Sequence, residues 1–242
     1  MSLSSPSLQN LSIKIFADGA DTESLVKLAA NQAIKGFTTN PTLMRKAGVQ
    51  DYERFALEVV AAIGNRPVSF EVFADEFAEM ERQAHRIAAW GNNVFVKIPI
   101  TNTKAESSCP LIRRLAHEGL RLNVTALTTI GQVHDAAVAL DGTPASFISV
   151  FAGRVADTGV DPVPLMAAAV AILGSNPALE LIWASPRELL NVFQANTIGC
   201  HAITVTPDIL TKMSLVGKNL DEYSLDTVRM FYEDGRMANF SL

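Results

Sequence analysis

The chain has 242 residues, 48% apolar and 19% charged, with a net charge of −5. That length is ample for a buried core, and the composition excludes a disordered or low-complexity chain. The acidic balance argues against a nucleic-acid or anionic-membrane partner, because either leaves a basic footprint. The longest apolar stretch, Val163–Leu173, is far short of the roughly 20 residues a membrane helix needs. Residues 1–10 are Ser-rich and lack the regions of a signal peptide. Cys109 and Cys200 make neither a disulfide framework nor a metal cluster, so a reducing, cytoplasmic setting is expected.

In chain order, short runs rich in Val, Ile and Phe read as buried strands: Ser12–Phe16, Gly36–Thr38, Val68–Phe73, Val94–Ile98, Arg121–Val124, Ser146–Phe151, Leu181–Ala184 and Ala202–Val205. Helical patterns follow them at Asp21–Gln32, Asp51–Ile63, Phe77–Trp90, Leu111–His117, Thr129–Ala139, Pro162–Leu173, Pro186–Gln194 and Pro207–Leu215, with a last one at Leu225–Glu233. Asn40-Pro41, Asp161-Pro162, Ser185-Pro186 and Thr206-Pro207 each set a capping side chain before a Pro at a first helical position. Ser185 to Glu188 has capping-box spacing, and Gly174 stands where a helix end favours positive φ. About eight strand–helix units in this length predict an α/β fold, a single (β/α)8 TIM barrel spanning residues 1–242. A doubly wound sheet is the rival, although no G-x-G-x-x-G follows the first strand. Residues 1–10 are expected to be flexible, and 221–242 to form a C-terminal helix or tail.

In a barrel of this kind, chemistry belongs at the C-terminal ends of the strands. Those ends carry Asp18, Asn40, Glu71, Lys97, Asn123 with Thr125, Ser149 and Ser185. Lys97 is the most informative, lying in Val94-Phe95-Val96-Lys97-Ile98-Pro99 among apolar neighbours. Burial favours the neutral amine, a nucleophile suited to carbonyl carbon and Schiff-base formation. The plainer reading is a lysine that reaches solvent or pairs with an acid. Glu71 and Asp18 could move protons, or Glu71 could pair with a buried lysine and Asp18 could cap a helix in competition with Asp21. Asn40 before Pro41 is an excellent N-cap. Asn123 and Thr125 share one face of their strand, and Thr128 and Thr129 read as caps. Arg154 and Arg187 are candidates for an anion, Arg187 being unusual in the first turn of a helix; a surface pair with Glu188 or another acid is the alternative. His85, His117, His134 and His201 lie in or beside helical stretches without metal spacing, and Cys200 reads as a small core residue.

Gly36-Phe37-Thr38-Thr39-Asn40-Pro41-Thr42 resembles the Thr-Thr-Asn-Pro signature of transaldolases. Val96-Lys97-Ile98-Pro99 is similar to their Schiff-base lysine motif. Ser149-Val150-Phe151-Ala152-Gly153-Arg154 and Ala184-Ser185-Pro186-Arg187 resemble two further motifs, all in the family's order from about Ile13 to Leu215. The resemblance, to the small transaldolase and fructose-6-phosphate aldolase-like group, implies a (β/α)8 barrel with class I aldolase chemistry and no metal or organic cofactor. It makes Lys97 the Schiff-base former, Glu71 the acid/base working through a water placed by Thr125, and Asp18 the base at the C4 hydroxyl. Asn40, Asn123 and Ser149 would hold hydroxyls, with Phe151 and Ser185 beside them, and Arg154 and Arg187 would bind the phosphate.

The reaction implied moves a dihydroxyacetone unit between sugar phosphates, as in the pentose phosphate pathway, from sedoheptulose 7-phosphate or fructose 6-phosphate to an aldose phosphate. Fructose-6-phosphate aldolases carry Gln in place of Glu71 and Tyr in place of Phe151, so both positions here are of the transferase type. A free aldolase and a non-catalytic sugar-phosphate-binding barrel are the alternatives. Gly19, Val150 and Pro186 depart from the motifs, and the loop Thr101–Pro110 is longer than in small members. A ring-like homo-oligomer is expected from the resemblance, with apolar Val228, Met230, Phe231 and Met237 of Leu225–Phe240 packing on a neighbour or on their own barrel.

Overall fold

The structure, a computed structural model, describes residues 11–238. The expectation for residues 1–10, and Phe240, lie outside these. Chain order is β1 (Lys14–Asp18), α1 (Thr22–Ala29), β2 (Ile34–Thr38), α2 (Pro41–Lys46), α3 (Tyr52–Ile63), β3 (Val68–Glu71), α4 (Phe77–Ala88) and β4 (Val94–Pro99). It continues with α5 (Cys109–His117), β5 (Leu122–Leu127), α6 (Ile130–Ala139), β6 (Ser146–Val150), α7 (Ala152–Ala156), α8 (Pro162–Leu173), β7 (Leu179–Trp183), α9 (Leu190–Thr197), β8 (Ala202–Val205), α10 (Pro207–Lys212) and α11 (Leu220–Met237). The strands close in sequence order into a parallel barrel, β1 pairing with β8. The (β/α)8 expectation holds, and the open-sheet rival does not.

Each strand buries both faces, which is why the runs read as continuously apolar rather than alternating. Outward faces pack on helices in one large core that includes Phe37, Phe70 and Trp183. Inside the lower barrel sits a separate plug of Phe16, Phe95, Phe147, Ile182 and Ala202. Phe95 and Phe147 stack at 4.3 Å between centroids, and Phe16 meets Phe147 edge-on at 5.5 Å. Gly36 makes room for this plug: a Cβ there would lie 2.7 Å from the Phe16 ring.

The caps confirm some expectations and correct others. Asn40 accepts from Leu43 N and Asp161 from Val163 N, and Thr129 with Gln132 forms a capping box. Asp21, not Asp18, caps α1. Thr206 precedes α10, but its hydroxyl donates to the Asp208 carboxylate and accepts from no backbone N–H of the helix. The capping box at Ser185–Glu188 is not formed. Ser185 takes φ +57°, α9 begins only at Leu190, and Arg187 therefore lies in a loop rather than a first helical turn. Gly174 ends α8 with φ −59°, an ordinary right-handed value, so no positive-φ cap is present there. The start of α2 was read from Asn40-Pro41 but its extent was not, and α7 went unread, because six and five residues are too few for a hydrophobic period to register.

α11 buries none of its residues and exposes Leu220, Val228, Phe231 and Met237. The helix is thus not docked in its own barrel's core. Among the described residues, no helix is long and apolar enough to cross a membrane.

Candidate active site

Strand register sets the floor of the site. Glu71, Lys97 and Asn123 are paired neighbours across β3, β4 and β5, so three functional groups share one level of the barrel. Lys97 is only 6% exposed. Its Nζ donates to Thr39 O at 3.1 Å and lies 3.3 Å from Glu71 Oε2. The buried lysine therefore has its acid partner, as the plainer sequence reading allowed. A cavity of about 520 Å³ opens directly above it.

Asp18 stands across the barrel at the end of β1, where Thr38 Oγ1 donates to Oδ1 at 2.8 Å and Asn40 Nδ2 reaches Oδ2 at 3.4 Å. Removal from water pushes Asp18 above the usual carboxylate range; the Lys97 ammonium opposes this most, then the Thr38 hydroxyl. Asn40 does two jobs at once, since its Oδ1 caps α2 while its amide faces Asp18. On the opposite wall, Ser149 Oγ donates to Asn123 Oδ1 at 2.7 Å and Asn123 Nδ2 donates to Ser69 Oγ at 2.9 Å. These two bonds fix the orientation of the Asn123 amide and leave it one further N–H and one further lone pair.

Asp18, Asn40, Glu71, Lys97, Ser149, Phe151, Arg154, Ser185 and Arg187 all line this one cavity. Asn123 and Thr125 do not form its surface. Beside Thr125 the ladder between β5 and β6 is irregular, and the next residue, Ala126, takes φ +65° and lines the wall instead. Thr125 Oγ1 is buried with no hydrogen-bond partner among the described residues. A buried hydroxyl in that condition has a hydrogen bond to give to something small and polar.

Arg154 and Arg187 sit at the mouth, where a guanidinium can take a phosphate in two-pronged fashion. Arg187 pairs with Asp157, at the C-terminal end of α7, so the surface pair that the plainer sequence reading allowed is formed, with an acid other than Glu188.

Sequence reasoning missed four contributors. Thr38 and Ser69 lie on the inward faces of β2 and β3, and period-two alternation from Gly36 and Glu71 would have found them. Thr204 on β8 shares a short hydrogen bond with Thr38. Tyr52, at the start of α3, donates to the Glu71 carbonyl at 3.1 Å, and burial pushes its phenol far above the ordinary range. Nothing local in the sequence links Tyr52 to Glu71.

The loop after β4 is well organised but forms no part of the cavity lining. Thr101 bridges Ser107, Thr103 donates twice to Asp75 at 2.7 Å, and Lys104 pairs with Glu76 at 2.6 Å. Among carboxylates and histidines, Glu81, His85 and Glu118 approach one another on the outside of the barrel. There Glu81 is held by Arg114 at 2.8 and 2.7 Å, and His85 by Glu118 at 3.2 Å. Cys200 is buried as expected, and burial pushes its thiol up to about 12.

The fold is thus a closed parallel barrel that gathers a buried lysine and two carboxylates beneath an arginine-rimmed cavity at the C-terminal ends of its strands. The family description "Transaldolase/Fructose-6-phosphate aldolase" matches residues 15–241, and the chain belongs to that family. It is 36% identical over 202 residues to a probable transaldolase of Dehalococcoides mccartyi, covering 83% of this chain and 90% of the relative. A probable transaldolase of Herpetosiphon aurantiacus is 33% identical over 218 residues, covering 88% and 94%. Among solved structures, a Coccidioides immitis protein assigned to the dihydrodipicolinate synthase family superposes with a TM-score of 0.60 at 13% identity, over 93% of this chain and 76% of that one. That last likeness concerns the barrel alone.

Proposed function

We propose that this protein is a transaldolase that moves a dihydroxyacetone unit from a ketose phosphate to an aldose phosphate, as a single barrel domain. The observation that carries the reading is Lys97, buried at the cavity floor with its Nζ 3.3 Å from Glu71 Oε2. The Lys97 amine adds to the C2 carbonyl of the donor, and Glu71, through a water held by Thr125, protonates the carbinolamine oxygen so that water leaves and an iminium remains. Asp18 then takes the proton of the C4 hydroxyl. The C3–C4 bond breaks, its electron pair passes to the iminium as an enamine, and the shortened aldose departs. Attack of the enamine on an acceptor aldehyde, with the proton returned from Asp18, and hydrolysis complete the transfer.

Asn40, Asn123 and Ser149 hold the hydroxyls of the retained unit, while Phe151 and Ser185 shape the wall. Arg154 and Arg187 receive the phosphate. Glu71 and Phe151 favour transfer over the acceptor-independent release of a free aldolase. The reading needs no metal or organic cofactor, and a cytoplasmic homo-oligomer accords with it. The exposed apolar side chains of α11 support packing against a second copy, and sedimentation of a purely monomeric species at micromolar concentration would remove that part.

Borohydride reduction in the presence of fructose 6-phosphate is the decisive test. Wild-type protein takes up a covalent adduct at Lys97, and Lys97→Ala takes up none. Without any wild-type adduct, the chain is a binding barrel. Rapid donor cleavage without an acceptor aldehyde makes it an aldolase instead.

A further inference from the structure

Arg187 is held far more firmly than its loop position requires. Its Nε donates to Asp157 Oδ1 at 2.8 Å, its Nη2 makes the second prong to Oδ2, and its backbone N donates to Asn191 Oδ1 at 2.7 Å. These hydrogen bonds hold the Asp157 carboxyl below its usual range. A guanidinium carries five N–H donors, so the two-pronged bond leaves three, all directed away from the Asp157 edge. Arg187 and Arg154 line the cavity, and Asp157 does not.

Backbone packing joins the same two segments. A Cβ on Gly153 would lie 1.5 Å from Ser185 O and 3.2 Å from Arg187 Nε, so only glycine lets α7 press against the loop after β7. Ser185 carries φ +57° at that contact, a left-handed conformation that strains a non-glycine residue. The two arginines therefore come from a helix, α7, and a loop that are braced together, with Asp157 as the brace on the side-chain level.

We propose that Asp157 is a positioning residue of the anion subsite: it grips one edge of Arg187 so that the other edge stands ready, beside Arg154, for the substrate phosphate. The inference rests on the phosphate-binding role proposed above for the two arginines. Asp157 acts by orientation, from behind Arg187, and not as a carboxylate that occupies the phosphate's place. A flexible arginine would pay for its ordering at every binding event, whereas a gripped one has been ordered in advance.

The test is calorimetric titration of fructose 6-phosphate into wild type, Asp157→Asn, Arg187→Ala and the double variant, with kinetics on phosphorylated and unphosphorylated donors alongside. Asp157→Asn should weaken fructose 6-phosphate about threefold, the scale of one partly exposed ion pair. It should raise KM for that donor, leave kcat and the use of dihydroxyacetone unchanged, and have no further effect once Arg187 is Ala. Asp157→Glu should restore part of the loss. Tighter binding by Asp157→Asn would overturn the proposal by making Asp157 a competitor of the phosphate. Equal losses with both donors, or a full effect retained in the Arg187→Ala background, would overturn it as well. Trapping of dihydroxyacetone on Lys97 reads the catalytic assignment separately. A wild type that is trapped yet binds fructose 6-phosphate no better than fructose would sink the subsite alone. One that binds the phosphate through Asp157 and Arg187 but is never trapped would sink the chemistry alone.

Discussion

The two ends of the barrel interior use the same strands for opposite purposes. A step of two residues, one layer of the barrel, changes Phe16 into Asp18 on β1, Phe95 into Lys97 on β4, Phe147 into Ser149 on β6 and Ala202 into Thr204 on β8. Below lies an apolar, aromatic plug; above lie a lysine, two carboxylates and a chain of hydroxyls and amides. The lower layer makes the upper one possible. Filling the barrel axis with rings denies bulk water a route from beneath, and the groups above interact in a setting of lower dielectric. Those groups also gain rigid positions, because they project from strands whose next inward residue is locked in packing.

Substitutions should separate the two layers by what they damage. Phe147→Ala has the largest expected effect on stability, about 3–5 kcal/mol, because it leaves a cavity among Phe16 and Phe95. Denaturant titration reads that loss. Ser149→Ala, one layer up, should cost about 1–3 kcal/mol through the unpaired Asn123 Oδ1, with a fall in donor turnover out of proportion to its stability loss. If Ser149→Ala proves purely a stability variant, the upper layer is structural too, and the contrast fails.

The smallest effect expected is a pH slope. Asp18 is pushed above its ordinary value of 3.8 in the folded chain, so the folded state holds its proton more tightly than the unfolded one. Its contribution to stability is therefore fully present below the ordinary value and is lost as pH rises through the raised one. Asp18→Asn should flatten that segment of the profile, measured by urea unfolding as pH is raised from the ordinary Asp value of 3.8. An unchanged slope would mean that Asp18 titrates as an ordinary carboxylate.

Legibility differed by element. Strand ends were readable because a polar residue terminating a Val- and Ile-rich run has few uses in a barrel other than the mouth, and Lys97 stood out for that reason. The grouping of Asp18, Glu71 and Lys97 could be anticipated from strand order once a barrel was assumed. Ser185 to Glu188 was misread because local spacing was sound while a distant contact decided the matter. The pressure of Gly153 on Ser185 O holds that segment out of a helix, and its φ of +57° cannot be inferred from Ser-Pro-Arg-Glu. Thr38, Ser69 and Thr204 were overlooked as small polar residues inside apolar runs, where their inward direction is the informative fact.

By itself the sequence determined the eight strand–helix units, the buried lysine and the motifs shared with a family, because apolar periodicity and residue chemistry are local properties. Only the tertiary structure decided that Asn123 is clamped between Ser69 and Ser149, that Thr125 keeps a hydroxyl without a partner among the described residues, and that Arg187 answers to Asp157 thirty residues earlier in the chain. These depend on barrel closure and on α7 pressed against the loop after β7, and distances between segments far apart in the chain are set by packing rather than by composition.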